Sequence, residues 1–390
     1  MNFDQLHNRK GSDSAKWDGV NKYFGEQDLH PMWVADMDFP APQPVIEALN
    51  DKVEHGIYGY PHVPDSTYQS ITGWLSQRHQ WEINQDWISF ILGVVPAIST
   101  IIHALTEVGD KIIIQPPVYY PFFGMVEDNE RVLSLNPLKL EDGQYKIDFD
   151  HLEQIIDNET KMLILCSPHN PVGRVWSKDE LQKLGDICIK NNILVISDEI
   201  HADLTLNGQK HVPFASISKE FADISITCLA PSKTFNLAGT QAAYMIIPND
   251  GLRKKVDNQK KKQGLYALNI FGLTALEAAY THGGIWLDSL MEYIEDNVKL
   301  VKDFLETELP SIRLIEPEGT YLLWIDCRAL NVEHKKLERA LLKEGKLALN
   351  QGYTFGENGQ GFIRMNIATQ KAHIQEGLKR LKQVIDSVQG

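Results

Sequence analysis

What most constrains this chain is an alternation that runs from about residue 88 to about residue 250. Short apolar stretches recur there at 88–92, 111–115, 131–135, 161–166, 193–197, 226–230 and 242–247. Helical patterns intervene, notably over 97–107 and from the capping box Ser177-Lys178-Asp179-Glu180 to about Asn191. Runs this short and this apolar are strands covered on both faces. Strands alternating with helices build a mostly parallel sheet wound with helices, so the fold class is α/β. In such sheets ligands bind beyond the carboxyl ends of the strands. Gly93, Tyr119, Asn170, Asp198 and Lys233 all fall at predicted strand ends. Their coincidence there says more than any one of them alone.

The rest of the chain is read around that sheet. A length of 390 residues exceeds what one core normally supports, so a second domain is expected. A long amphipathic helix at 285–308 leads into a strand at 320–327, a helix near 335–345, a strand at 361–368 and a last helix to about 388. Prolines at 31, 40, 42 and 44 break up the start of the chain into an irregular arm. The expected division is an arm over 1–45 packing with the small domain, a large cofactor-binding domain over 46–284, and a small α/β domain over 285–390. Met32, Trp33, Met37 and Phe39 in that arm would be a liability in water. They are expected to pack on the body or on a second subunit.

Composition excludes several partners. Lys and Arg number 38 against 52 Asp and Glu, a net charge of −14, so nucleic acid is not expected. The basic run at 253–263 reads as a solvated helix face. No apolar run is long enough for a membrane span, and the first residues lack an apolar signal core. The four cysteines lie far apart with no CxxC, which suggests reduced thiols in the cytoplasm. No metal site is expected.

Lys233 carries the chemistry. A lysine delivered by a buried strand into Ser232-Lys233-Thr234 is desolvated, and desolvation turns an ammonium into a nucleophilic amine. An aldehyde cofactor such as pyridoxal 5′-phosphate (PLP) needs such an amine. It also needs a carboxylate for its ring nitrogen (Asp198) and donors for its ring oxygen (Asn170, His201). An aromatic cover (Tyr119) and a phosphate seat complete the set. The glycine turn before a helix, with Val94, Val95 and Ser232, suits the phosphate. Arg364, in the apolar strand Phe362-Ile363-Arg364-Met365, is either a clamp for a substrate carboxylate or half of a structural ion pair.

The order SPHNPVG, SDEIH, SKTFN and FIRMN resembles the fold-type I PLP enzymes related to aspartate aminotransferase, over essentially the whole chain. Within that group, VADMDFPAP, HGIYGYP, CSPHNPVGRVW, ISDEIHAD, PSKTFNLAG and GYTFGENGQGFIRMN are similar to the C–S lyases of the MalY/PatB type, often called cystathionine β-lyases. The resemblance implies Lys233 as the Schiff-base lysine and Asp198 as the pyridinium partner. It places Asn170 and His201 at the ring oxygen, where many relatives carry tyrosine instead of His201. Tyr119 matches the residue stacked on the ring, and Arg364 matches the arginine for the substrate α-carboxylate. Tyr60 matches a tyrosine that a second subunit sends to the phosphate, so a homodimer is implied. Gln241 stands where many relatives place a phosphate-binding arginine. The implied reaction is α,β-elimination on an S-substituted L-cysteine, giving a thiol, pyruvate and ammonia. An aminotransferase would use the same Lys233, Asp198 and Arg364. A regulator on the same scaffold is a further alternative, though no DNA-binding segment is visible.

Overall fold

The computed structural model describes residues 1–389. Seven strands form the main sheet: β1 (Ile88–Ile91), β2 (Lys111–Ile114), β3 (Val132–Leu135), β4 (Thr160–Cys166), β5 (Leu194–Asp198), β6 (Ser225–Leu229) and β7 (Ala243–Ile246). They lie in the order β1-β7-β6-β5-β4-β2-β3. β7 runs antiparallel to both neighbours, and the other pairings are parallel. The expected strands are therefore present, with ends shifted by a residue or two.

Side-chain alternation on the central strands explains why both faces are covered. On β4, Met162, Ile164 and Cys166 enter one apolar cluster while Leu163 and Leu165 enter the other. On β5, Ile196 and Val195 divide in the same way. Each fully buried aliphatic side chain contributes about 1.5–3 kcal/mol, so both layers of helices are needed to hold the sheet.

Among the elements not expected, two stand out. The helix Ile270–His282 is buried on many sides, among the helices Gln43–His55 and Asp65–His79. Its apolar residues form no single stripe, so it carries no clear helical period. Asn269 caps it by accepting the Gly272 N–H at 2.7 Å. A hairpin pairs Lys139–Glu141 with Gln144–Lys146 around Asp142-Gly143, both at positive φ, the Asp-Gly turn that tight hairpins favour.

The C-terminal sheet contains β8 (Arg313–Ile315), β9 (Leu322–Asp326), β10 (Asn350–Gln351) and β11 (Phe362–Asn366), antiparallel in the order β8-β9-β11-β10. The helix Gly284–Glu308 leads into it. The arm joins this region directly, because His30–Pro31 pair in parallel with Leu347–Ala348. Met32, Trp33, Met37 and Phe39 are all buried within the same chain, so a second subunit is not required to cover them. Asp38, only 2% exposed, binds Lys16 at 2.6 Å and Arg9 at 2.8 Å. Arg9 also holds Asp36 at 2.8 Å. This ion cluster ties Arg9 and Lys16 to Asp36 and Asp38 within the first 45 residues. No helix among the described residues is long and apolar enough to cross a membrane.

Candidate active site

The carboxyl ends of the strands open onto a cavity of about 250 Å³. β6 delivers Lys233 into it. Pro231 opens the single turn Pro231–Thr234, where its missing N–H costs nothing. Thr234 Oγ1 donates to Asp203 at 2.8 Å, and Trp74 and His79 hold the other oxygen of that carboxylate. The Lys233 amine donates to the Ala35 carbonyl at 2.7 Å. Burial lowers its pKa to about 8; Asp36 opposes that and Arg364 adds to it. The amine is therefore partly neutral near neutral pH, as a nucleophile or base must be.

Asp198, the last residue of β5, is buried, and burial raises its pKa to about 7 against the Ile200 N–H at 3.2 Å and the charge of Lys233. That N–H is its only side-chain hydrogen-bond partner among the described residues. A cationic nitrogen in the cavity would find a carboxylate with little else to do. His201 is buried too. Burial first, then Lys233 and Arg364, depress it to about 3, so the ring is neutral. Its Nδ1 has no partner among the described residues. Tyr119 covers the cavity from the end of β2, its phenol pushed up to about 12 by burial.

Val94 and Val95, also on the cavity lining, form the first turn of the helix Val94–Leu105. Their N–H groups face no carbonyl of their own helix, and the helix dipole favours an anion there. Ser232 and Gln241 also line the cavity. Gln241 adopts a left-handed conformation (φ 52°) and brings an amide where a guanidinium would have brought charge.

Arg364 enters from β11, 3% exposed. Nη1 donates to Asn170 Oδ1 at 2.9 Å, and Nη2 to the Trp33 carbonyl at 2.9 Å and Asn350 Oδ1 at 2.6 Å. No carboxylate pairs with it among the described residues, so the structural ion-pair alternative does not hold. Burial lowers its pKa only to about 10, which leaves it charged at neutral pH. Tyr60 does not reach the cavity of its own chain. It lies fully exposed in the loop after the helix Gln43–His55.

The sequence points to the arm and to the residues near Gly319–Tyr321 as walls of this site, but not to the individual contacts that hold them. Ala35 accepts both Lys233 and the Tyr321 hydroxyl, the latter at 3.1 Å. Asn366 donates to the carbonyls of Val34 and Asp36, and Asn236 ties down Met37 and Phe39. Thr320, just before Tyr321, sits at φ 68°, a strained place for a β-branched residue, and its hydroxyl accepts the Leu322 N–H at 3.1 Å. That strain was the one local signal near Tyr321, and it is not written in residue types.

These groups fit PLP. An anion seat at a helix N-terminus, a lone buried carboxylate, an unpartnered His201 nitrogen and a partly neutral lysine line one cavity, the kinds of group such a cofactor requires. An uncompensated arginine beside them suits an amino-acid carboxylate.

Comparisons with known proteins agree. The family model for aminotransferase class I and II matches residues 29–381. The chain is 48% identical over 383 residues to cystathionine beta-lyase PatB of Bacillus subtilis (strain 168), covering 98% of this chain and 99% of that protein. It is 33% identical to protein MalY of Escherichia coli (strain K12) across the full length of both. Among solved structures, cystalysin from Treponema denticola, which contains a pyridoxal 5′-phosphate cofactor, superposes with a TM-score of 0.96 at 40% identity over 99% of each chain.

Proposed function

The chain belongs to the aminotransferase class I and II family, and from that premise we propose that it is a PLP-dependent carbon–sulfur lyase of the cystathionine β-lyase type. It cleaves S-substituted L-cysteines by α,β-elimination to a thiol, pyruvate and ammonia. The observation that carries this is one cavity presenting the amine of Lys233, the lone carboxylate of Asp198 and the unpaired guanidinium of Arg364.

When bound, PLP supplies an electron-withdrawing ring that accepts the electron pair released at the substrate Cα. Val94 and Val95 N–H groups, the Ser232 hydroxyl and the Gln241 amide would hold its phosphate. Asp198 would hold its ring nitrogen, Asn170 and His201 its ring oxygen, and Tyr119 would cover its face. Arg364, with Asn170 and Tyr119, would bind and orient the substrate. Lys233 Nζ, released as a neutral amine, takes the Cα proton. The Cβ–S bond then breaks, and sulfur leaves with the bonding pair as a thiolate that gains a proton. Water converts the remaining three-carbon fragment to pyruvate and ammonia.

Residues 1–45 serve as the arm, 46–284 as the cofactor-binding domain and 285–390 as the small domain. The active form is a homodimer in which the partner's Tyr60 reaches the cofactor phosphate. The exposed Ile57, Tyr58, Tyr60 and Tyr266 support that interface. Four buried free cysteines support a cytoplasmic location. Cystathionine supplied without any keto acid tests the chemistry. Release of thiol and pyruvate is expected; product formed only when a keto acid is added would instead identify an aminotransferase. Mixing Lys233→Ala with Tyr60→Ala chains tests the dimer, and restored activity in the mixture is expected because one hybrid site is whole.

A further inference from the structure

Arg364 has an aromatic neighbour that the chemistry above does not use. The ring of Phe355 lies against its guanidinium, 4.8 Å from centroid to Cζ. Phe355 is fully buried, edge-to-face with Tyr120 at 5.9 Å and with Trp324 at 5.5 Å. Its carbonyl accepts the Val118 N–H at 3.0 Å, and Asn358 donates to the Pro116 carbonyl at 2.8 Å. Gly356 follows at φ 122°, and a Cβ there would come within 2.8 Å of Pro116. Glycine is what lets this loop close on the aromatic turn after β2. The loop is thus fastened by its backbone to one side of the cavity, and what it delivers there is a ring face.

A buried guanidinium needs compensation. A carboxylate would be the strongest partner, but an incoming substrate carboxylate would have to displace it. A ring face attracts the cation from one side and leaves the N–H edges free. Three of the five donors are used by Asn170, Trp33 and Asn350, and the Nε–H has no partner among the described residues. We propose that Phe355 is a positioning residue for the substrate carboxylate: its ring takes the place of a counter-ion against Arg364 and holds the guanidinium in the cavity with donors to spare. The proposal rests on Arg364 being the carboxylate-binding group. Without the ring, the guanidinium spends part of its time turned toward water, and apparent affinity falls by that fraction.

The test uses the holoenzyme with Phe355→Leu and with a graded series of ring-fluorinated phenylalanines at 355. Fluorination weakens the negative face of the ring at nearly constant shape. The probes are L-alanine, which has an amine and a carboxylate but no β leaving group, and ethylamine, which lacks the carboxylate. Calorimetry is expected to show L-alanine binding weakened about five- to thirtyfold in F355L, and stepwise with fluorination, with ethylamine binding unchanged. KM for cystathionine rises in parallel while kcat stays within about twofold. Equal loss for both probes, or no response to fluorination, overturns the proposal. Arg364→Met separates it from its premise. If R364M binds L-alanine as tightly as the unaltered protein, Arg364 is not the carboxylate group; if R364M loses L-alanine while the Phe355 series does not, only the positioning role fails.

Discussion

Two buried cationic clusters lie close together in this molecule and are built in opposite ways. In the arm, Lys16 is wholly buried and meets Asp38 at 2.6 Å, with Arg9 bridging Asp36 and Asp38. Burial works against charge on Asp38, yet Lys16, Trp17 and Arg9 together hold its carboxyl well below the usual range. In the cavity, Lys233 and Arg364 hydrogen-bond, among the described residues, only to neutral oxygens: the carbonyls of Ala35 and Trp33 and the amides of Asn170 and Asn350. The first cluster is neutralised inside the protein, so it serves structure. The second leaves the Arg364 guanidinium without a carboxylate partner in a dry place, which is costly unless a ligand arrives to supply one.

The contrast breaks in different places. Lys233→Ala removes the base outright, and pyruvate release is expected to fall about ten-thousandfold with the circular dichroism spectrum intact. Asp38→Ala strands the charge of Lys16 and should cost about 3–5 kcal/mol of unfolding free energy in urea titration. The double change Lys16→Met with Asp38→Leu should recover most of that, because an apolar pair has no charge to strand. Arg364→Met should do the reverse: L-alanine affinity falls roughly a hundredfold while the urea midpoint holds or rises. The smallest effect is one of pH. Only the neutral amine attacks an aldehyde, and burial has brought Lys233 down to about 8 from its ordinary 10.5. PLP uptake by the apoprotein should therefore be level above about pH 8 and fall about tenfold per unit below it, as followed by absorbance.

Much of the sheet and its strand-end residues was legible because both depend on local signals. Apolar runs mark β4 to β6, and Asp198 and Lys233 stand where those runs stop. The polarity of Arg364 was visible, but its freedom from a counter-ion was not, since that depends on every residue that folding brings near it. The carbonyls of Trp33 and Ala35 left no trace, because any residue type supplies a carbonyl. Phe355 looked like one more apolar residue in a glycine-rich loop. The helix Ile270–His282 escaped because burial on several sides erases the periodicity that would have revealed it.

The stretch Val34–Ala35 has a further consequence. It serves the pocket through main-chain oxygens, which bind Asn366, Lys233 and Tyr321, and both residues border the cavity. Substitution at either position keeps the acceptor for the lysine, because every residue type carries that carbonyl. A lineage under selection, or an engineer, could thus drift toward new thioethers at this rim and leave the chemical machinery untouched.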